Sequence, residues 1–424
     1  MDSIGYLKLI DEEVKPGTGC TEPIAIALCV AKARAVLGEA VEKIVLSLSP
    51  NIIKNAMGVG IPGTREVGIH IAAALGCLIG NEAMGLQVLA SVKHEDVDLA
   101  KGLISKGMIE IEISESKNKL YIEAIVSGKE HAAQVIIQEN HTNIIYVKRD
   151  SEILLAKEQT IKNLDEVMRS ETSIKEIYDF TQNVALQDIL FILEGAYMNK
   201  SIALEGLDKD YGLKVGKTFQ KNIDNLLLAD DMKNYAIRLT AAASDARMDG
   251  CMSPVMTNSG SGNQGITVTL PVVAVAEWLE KSDEDLARAL ILSHLVAIHI
   301  KKRLGRLSAL CGAIAAAIGS GCGMTLLMGG NLHQIFSTIK NVIGDVSGMI
   351  CDGAKTGCAL KVATVVESAF NAMLLSLNNM QISKDDGIID EDIERCIENL
   401  TYIGSKGMEE TDKYILNIMI NKNS

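Results

Sequence analysis

Met108-Ile-Glu-Ile-Glu-Ile113 is followed by Leu120-Tyr-Ile-Glu-Ala-Ile-Val126, Ala133-Gln-Val-Ile-Ile137 and Ile144-Ile-Tyr-Val147. These four short runs decide the fold class. In the first, Ile and Glu alternate from residue 109, which gives an extended chain one apolar and one wet face but would smear the apolar residues around a helix. Turn formers separate the runs, among them Ser127-Gly128 and the polar stretch from Asn140 to Asn143. Val41 to Leu48, with Pro50 just beyond, reads as a further strand. Together they predict an antiparallel sheet. Upstream, Thr21–Leu37 is helical in composition, with Pro23 in the first turn, where no backbone donor is needed. That helix and a second around Val67–Cys77 are expected to cover the sheet.

Past residue 151 the strand signal fades. The charged stretch Glu152 to Asp165 reads as a linker or exposed connection. Helix-length windows with apolar residues three or four apart follow at Leu186–Tyr197, Phe219–Asp230, Lys233–Ala243, Asp283–Lys302 and Val362–Leu377. The expected fold class is α+β: an N-terminal mixed α/β domain with an antiparallel sheet over residues 1–155, then a mainly α-helical domain over residues 156–424. Leu307 to Leu332 carries no charged residue but has six glycines. Such small residues suit a buried helix in tight contact with its neighbours, broken by a turn near Gly319 to Gly323, better than a lipid-facing span. The acidic tail Asp385 to Glu398 reads as a solvated helix face.

Composition narrows the function. Of 424 residues, 48% are hydrophobic and 22% charged, the balance of a packed chain. A formal charge of −13 argues against nucleic acid or an anionic membrane surface as partner. Aromatics are only 4%, so Ala, Ile, Leu, Val and Met must build the core, and the Gly/Ala-rich second half would tolerate helix packing between copies in a homo-oligomer. Met1 to Lys15 shows no export signal, and nine cysteines are an odd number, so a reducing, cytoplasmic setting is expected. Cys29 and Cys77 sit in apolar stretches and read as core thiols.

Several motifs fail inspection. Gly260-Ser-Gly-Asn-Gln-Gly265 matches GxGxxG, but no strand precedes it in a βαβ unit. Gly212-Leu-Lys-Val-Gly-Lys-Thr218 is one residue short of a phosphate loop. His294 and His299 are five apart, a poor spacing for two ligands on one helix face, and read as packing histidines.

Three Gly-rich segments survive: Pro16-Gly-Thr-Gly-Cys-Thr-Glu-Pro23, Asn51 to Thr64, and Ser253 to Gly265. Each joins exposed backbone N–H groups to Ser, Thr, Asn or Gln, the equipment for holding a small carboxylate. Cys20 lies beside a helix N-terminus, where the dipole favours thiolate. A fourth segment, Cys351-Asp-Gly-Ala-Lys-Thr-Gly-Cys358, together with Cys311, could bring three thiolates to one metal centre, although the spacing is not a general zinc pattern. Cys251 and Cys322 are either further ligands or core thiols.

With Asn55-Ala-Met-Gly-Val-Gly-Ile-Pro-Gly-Thr64 and Gly305-Arg-Leu-Ser-Ala-Leu-Cys-Gly312, these segments resemble the L-cysteine desulfidase family, itself related to the α chain of iron–sulfur L-serine dehydratases. Five motifs in order span nearly the whole chain. The resemblance implies a [4Fe–4S] cluster held by Cys311, Cys351 and Cys358, and a catalytic role for Cys20, here expected to be the base. It implies a lyase that eliminates sulfide from L-cysteine to give pyruvate and ammonia. The serine dehydratase pattern places the last two ligands farther apart, with a Pro before the second; this chain has the shorter spacing. Thr18, Lys54, Asn55, Thr64, Asn258, Ser259, Ser261 and Asn263 are the candidates for holding the amino acid, at an interface between the two domains. Arg306 could pair with its carboxylate or with an acidic neighbour. The alternatives are an iron–sulfur serine or threonine dehydratase and a non-catalytic amino-acid-binding scaffold. No lysine stands in a context that suits a pyridoxal-phosphate Schiff base.

Overall fold

The computed structural model describes residues 1–157, 172–305 and 307–422. Its first half runs α1 (Ser3–Glu13), β1 (Pro16–Gly17), α2 (Thr21–Leu37), β2 (Lys43–Leu48), α3 (Pro50–Ala56), α4 (Ile69–Leu78), α5 (His94–Ser105), β3 (Ile109–Ile113), β4 (Tyr121–Ser127), β5 (Ala132–Gln138), β6 (Ile144–Arg149) and β7 (Glu152–Ala156). Strands β2 to β7 form one sheet in the order β3-β2-β4-β5-β6-β7. The alternation of the sequence sets which face is dry: Ile122, Ala124 and Val126 of β4 are buried with Ala133, Val135 and Ile137 of β5. Against that face lies α2, buried on nearly every side, with α4 packed on it in turn.

Two details differ from the sequence reading. The sheet is antiparallel except for β2 and β3, which pair in parallel because α3, α4 and α5 carry the chain back between them. The charged stretch from Glu152 opens with an edge strand, β7, rather than a linker. Its apolar residues Ile153 and Leu154 are exposed, so no buried face marked it. Of that stretch, residues 158–165 lie outside the described residues.

The second half is helical: α6 (Ile174–Asn183), α7 (Ile192–Asp208), α8 (Val215–Asp224), α9 (Met232–Met248), the two-residue β8 (Val255–Met256), α10 (Gly262–Trp278), α11 (Asp283–Leu304), α12 (Gly312–Leu327), α13 (Leu332–Val346), α14 (Cys358–Leu377), α15 (Ile393–Tyr402) and α16 (Glu409–Asn421). At its centre α12 touches α10, α11, α13 and α14. The break expected at Gly319 to Gly323 does not occur. A Cβ on Gly319 would stand 2.4 Å from the Ser293 carbonyl, so this glycine lets two helices approach rather than ending one. Helix α10 escaped the sequence reading because it starts in a Gly-rich run and contains Pro271. The acidic tail is helical only from Ile393, and Ile393, Cys396, Ile397 and Leu400 of α15 face the core. Helix α14 is long and apolar enough to cross a membrane, but 56% of its apolar window is buried inside the protein, as in a core helix.

The chain ends cross between the halves. Tyr6 and Ile10 of α1, with Val14 just after it, join the helical core, whereas Leu416 of α16 joins the core under the sheet. Strand β1 pairs with β8, Pro16 opposite Met256 and Gly17 opposite Val255. That ladder delivers the loop carrying Cys20 to the helical half.

Candidate active site

Four helices begin at one place. Cys20 is the N-cap of α2, Ser261 of α10 and Cys311 of α12, and Cys358 is the first residue of α14. Only Ser261 caps its helix with a side chain, accepting from Gln264 N at 3.3 Å. The ends of α2 and α12 turn N–H groups without a side-chain cap toward the common cavity. At α14, by contrast, Cys358 N and Ala359 N donate to the Lys355 and Thr356 carbonyls (2.9 and 3.2 Å), and that end contributes the positive pole of its dipole. That cavity, of about 110 Å³, is lined by Cys20, Glu22, Asn55, Arg247, Ser261, Asn263, Gln264, Cys311, Cys351 and Cys358, among others.

The three thiols of the later segments are placed by backbone. An antiparallel bridge joins Leu310 to Ile350, with Cys311 N donating to the Met349 carbonyl (3.0 Å) and Cys351 N to that of Ala309 (2.6 Å). This sets Cys311 against Cys351, and the Cys311 thiol hydrogen bond, helped by the Lys54 and Lys361 charges against the effect of burial, pulls the Cys351 thiol down. Cys358 enters from α14. Among the described residues no three His, Cys, Asp or Glu side chains converge on a single ion. Thiols spread around one electropositive cavity suit a cluster, whose irons each take one thiolate, better than one metal ion. The donor set fits an iron–sulfur cluster.

Cys20 departs from expectation. Burial first, then the negative charge of Glu22, push its thiol well up, against a smaller lowering by Arg247. A helix dipole contributes about 1 kcal/mol and is outweighed. Cys20 Sγ donates to Glu22 Oε2 at 3.4 Å, and Thr21 Oγ1 donates to the same oxygen at 3.1 Å. Burial pushes Glu22 up, but His141, the residue's own backbone N–H and Asn55 more than offset it and hold the carboxyl well below its usual range. The resting pair is therefore a thiol facing a carboxylate.

Of the expected amino-acid-binding residues, Asn55, Ser261 and Asn263 line the cavity. Thr18, Lys54, Thr64, Asn258 and Ser259 lie outside its wall. Lys54 Nζ donates to Asp412 Oδ1 of α16 (2.6 Å) and to the Cys351 carbonyl (3.1 Å), so it ties the C-terminal helix to the thiol loop. Thr64 Oγ1 donates to the Ile61 carbonyl and accepts from Glu66 N within its own turn. Asn258 is held by His294, and Ser259 Oγ donates to Asn258 Oδ1. Thr18 is half-buried in the loop before Cys20 and is not part of the wall. Arg306 lies outside the described residues. Cys251 and Cys322 are buried away from the cavity. The rejected phosphate-loop segment is settled too, since Gly216 N at the start of α8 donates to the protein's own Asp245 Oδ2 (3.0 Å).

Sequence reasoning missed Arg247, Gln264 and Glu22. Arg247, in the last turn of α9, is 2% exposed and forms no ion pair among the described residues, and its Nε has no hydrogen-bond partner. Gln264 stood inside a quoted motif, but only the fold shows which of its atoms meets the cavity.

A sequence model described as serine dehydratase alpha chain matches residues 84–417. A "UPF0597 protein" of Oleidesulfovibrio alaskensis is 47% identical over 420 residues, 98% of each chain. One from Parabacteroides distasonis is 48% identical over 428 residues, the whole of both chains, and one from Bacteroides fragilis is 48% identical over 417 residues, 98% of this chain and 97% of its own.

Proposed function

The chain belongs to the serine dehydratase alpha chain family, a family of iron–sulfur-dependent lyases, and from that premise we propose that it eliminates the β-substituent of a small L-amino acid. The substrate is L-cysteine, and the products are sulfide, pyruvate and ammonia. The observation that carries this reading is the one cavity that Cys20 shares with Cys311, Cys351 and Cys358. Those three thiolates would hold a [4Fe–4S] cluster, which when bound supplies Lewis acidity at an iron without a protein ligand.

The chain's own residues manage the proton. Cys20 keeps its hydrogen at rest and points it at Glu22 Oε2. To act as base for the Cα proton the sulfur must first give up its own proton to solvent, a loss that the Arg247 charge favours. Glu22, kept a carboxylate by Asn55 Nδ2 donating to Oε1 at 3.0 Å, positions the sulfur rather than taking its proton. The four helix N-termini stabilise the negative charge that builds beside the carboxylate as that proton leaves. Departure of the β-substituent gives aminoacrylate, which tautomerises and hydrolyses without further help. L-serine dehydration is the second reading, favoured by the family description matched at residues 84–417.

Anaerobically prepared protein is the test material. Sulfide released from L-cysteine faster than pyruvate forms from L-serine is the expected result; the reverse order makes serine the substrate. Replacing Cys20 with Ala should lower turnover by about a thousandfold, the range of a lost general base, with iron content and visible absorption retained. Loss of iron from Cys20→Ala would make Cys20 a ligand instead. Colourless, iron-free protein would leave only a binding scaffold.

A further inference from the structure

Two amides in the cavity wall have their orientation fixed by partners behind them. Asn55 Nδ2 donates to the Glu22 carboxylate, which can only accept, so Asn55 Oδ1 is the atom left over. It is buried and has no partner. Asn258 Nδ2 donates to the His294 carbonyl (3.3 Å) and ring Nδ1 (3.0 Å), so Asn258 Oδ1 accepts Gln264 Nε2 at 2.7 Å. Gln264 Oε1 is thereby left buried and unpartnered, against Gly312 beside Cys311. An unmet buried acceptor costs about 1–3 kcal/mol, and the cavity contains two.

The donor side is equally unmet. Arg247 Nε is buried without a partner in the same wall. Its place at the C-terminus of α9 favours a positive charge there by at most about 1 kcal/mol and does not supply the missing acceptor. Room for the guanidinium is made by Gly262, where a Cβ would fall 2.1 Å from Nε. The start of α10 therefore lies directly on a cation, an arrangement of two like partial charges that calls for an anion between or beside them.

We propose that the cavity binds its substrate as a zwitterion, with Arg247 taking the carboxylate and the carbonyl oxygens of Asn55 and Gln264 taking the ammonium. The assignment rests on the lyase reading for which amino acid is bound, but its donors and acceptors are independent of the reaction. It selects free α-amino acids over their amides, over peptides linked through the carboxyl group and over simple acids. Arg247 and Gln264 are binding residues; Asn258 is a positioning residue, which acts by turning Gln264.

L-alanine tests this, because it has no leaving group and is not consumed. L-alaninamide lacks the carboxylate and propionate lacks the ammonium. Equilibrium binding to the anaerobic full-length protein should favour L-alanine over either probe by at least tenfold. Arg247→Gln should abolish the preference over L-alaninamide, and Gln264→Leu the preference over propionate, with iron content and far-ultraviolet dichroism unchanged. Gly262→Ala keeps the arginine but displaces it, and should reproduce the Arg247→Gln result. Binding of L-alaninamide as tight as that of L-alanine, no measurable binding of L-alanine, or an intact acid preference in Arg247→Gln would each overturn the assignment. Loss of iron from Arg247→Gln with its acid preference intact would instead make the guanidinium a counter-charge for the thiolates. If neither L-cysteine nor L-serine is turned over while the preferences hold, the lyase reading fails and the zwitterion site stands.

Discussion

His294 and Arg247 are both basic side chains sealed in the helical half, 1% and 2% exposed, yet they live in opposite surroundings. Around the imidazole, Asn258 Nδ2 donates to Nδ1 and Nε2 donates to Thr269 Oγ1 at 3.2 Å, while Asn199 Nδ2 donates to that same hydroxyl. Around the guanidinium, Nε has no hydrogen-bond partner among the described residues. Gln264 belongs to both neighbourhoods, its Nε2 in the first and its Oε1 in the second. A polar cluster closed on itself specifies structure. One left open faces something the protein must still receive. The closed cluster here aims the open one, because Asn258 decides which end of Gln264 meets the cavity.

The largest effect should come from cutting the link. Asn258→Ala orphans His294 Nδ1 and Gln264 Nε2 together, and two buried unmet groups cost about 3 kcal/mol. Denaturant titration should show that loss as a lower midpoint with little change in slope. A stability within about 0.5 kcal/mol of wild type would mean that the closed cluster is not closed.

Acid sensitivity sharpens the comparison next. Burial alone holds the His294 pKa down to about 3, so the folded protein keeps this ring neutral. The unfolded chain protonates it near 6.5. The folded pKa is the lower one, so the unfolded state binds an extra proton between those values. Stability contributed by the neutral ring is therefore complete above about pH 6.5 and is lost as pH falls toward 3, at up to about 1.4 kcal/mol per pH unit. His294→Asn, measured at each pH between 6.5 and 4.5, should show a stability curve flatter by that slope. An unchanged slope would put a charge on the folded imidazole.

The two neighbourhoods also differ in what the sequence could reveal. Strands β3 to β6 were legible because alternation is a property of neighbouring residues, and their ends fall within two residues of the pattern. The edge strand β7 was not, since four of its five residues are exposed and only Leu155 packs against the core. The three thiols and Cys20 stood out by residue type and by the motifs around them, and they do line one cavity. Thr64, Asn258 and Ser259 matched the same composition but spend their polar atoms on the protein itself. Arg247 could not be singled out, because an arginine in the last turn of a helix is ordinary. Its importance lies in the absence of a partner, and a missing contact leaves no mark on a one-dimensional string.

That absence makes the smallest prediction the most discriminating. A buried ion without a partner is a burden on the folded state, so replacing it with an apolar chain of similar length relieves the burden. Arg247→Met should therefore stabilise the ligand-free protein by about 1 kcal/mol, the opposite sign to Asn258→Ala. Ligand should reverse the order. At a hundred times its dissociation constant, L-alanine adds about 2.7 kcal/mol to any protein that binds it when folded and not when unfolded. Wild type gains that increment and the Met variant does not, so the two unfolding curves should cross as L-alanine is added. A Met variant that is less stable without ligand would show that the guanidinium is already satisfied, and the cavity would then belong with the closed cluster around His294.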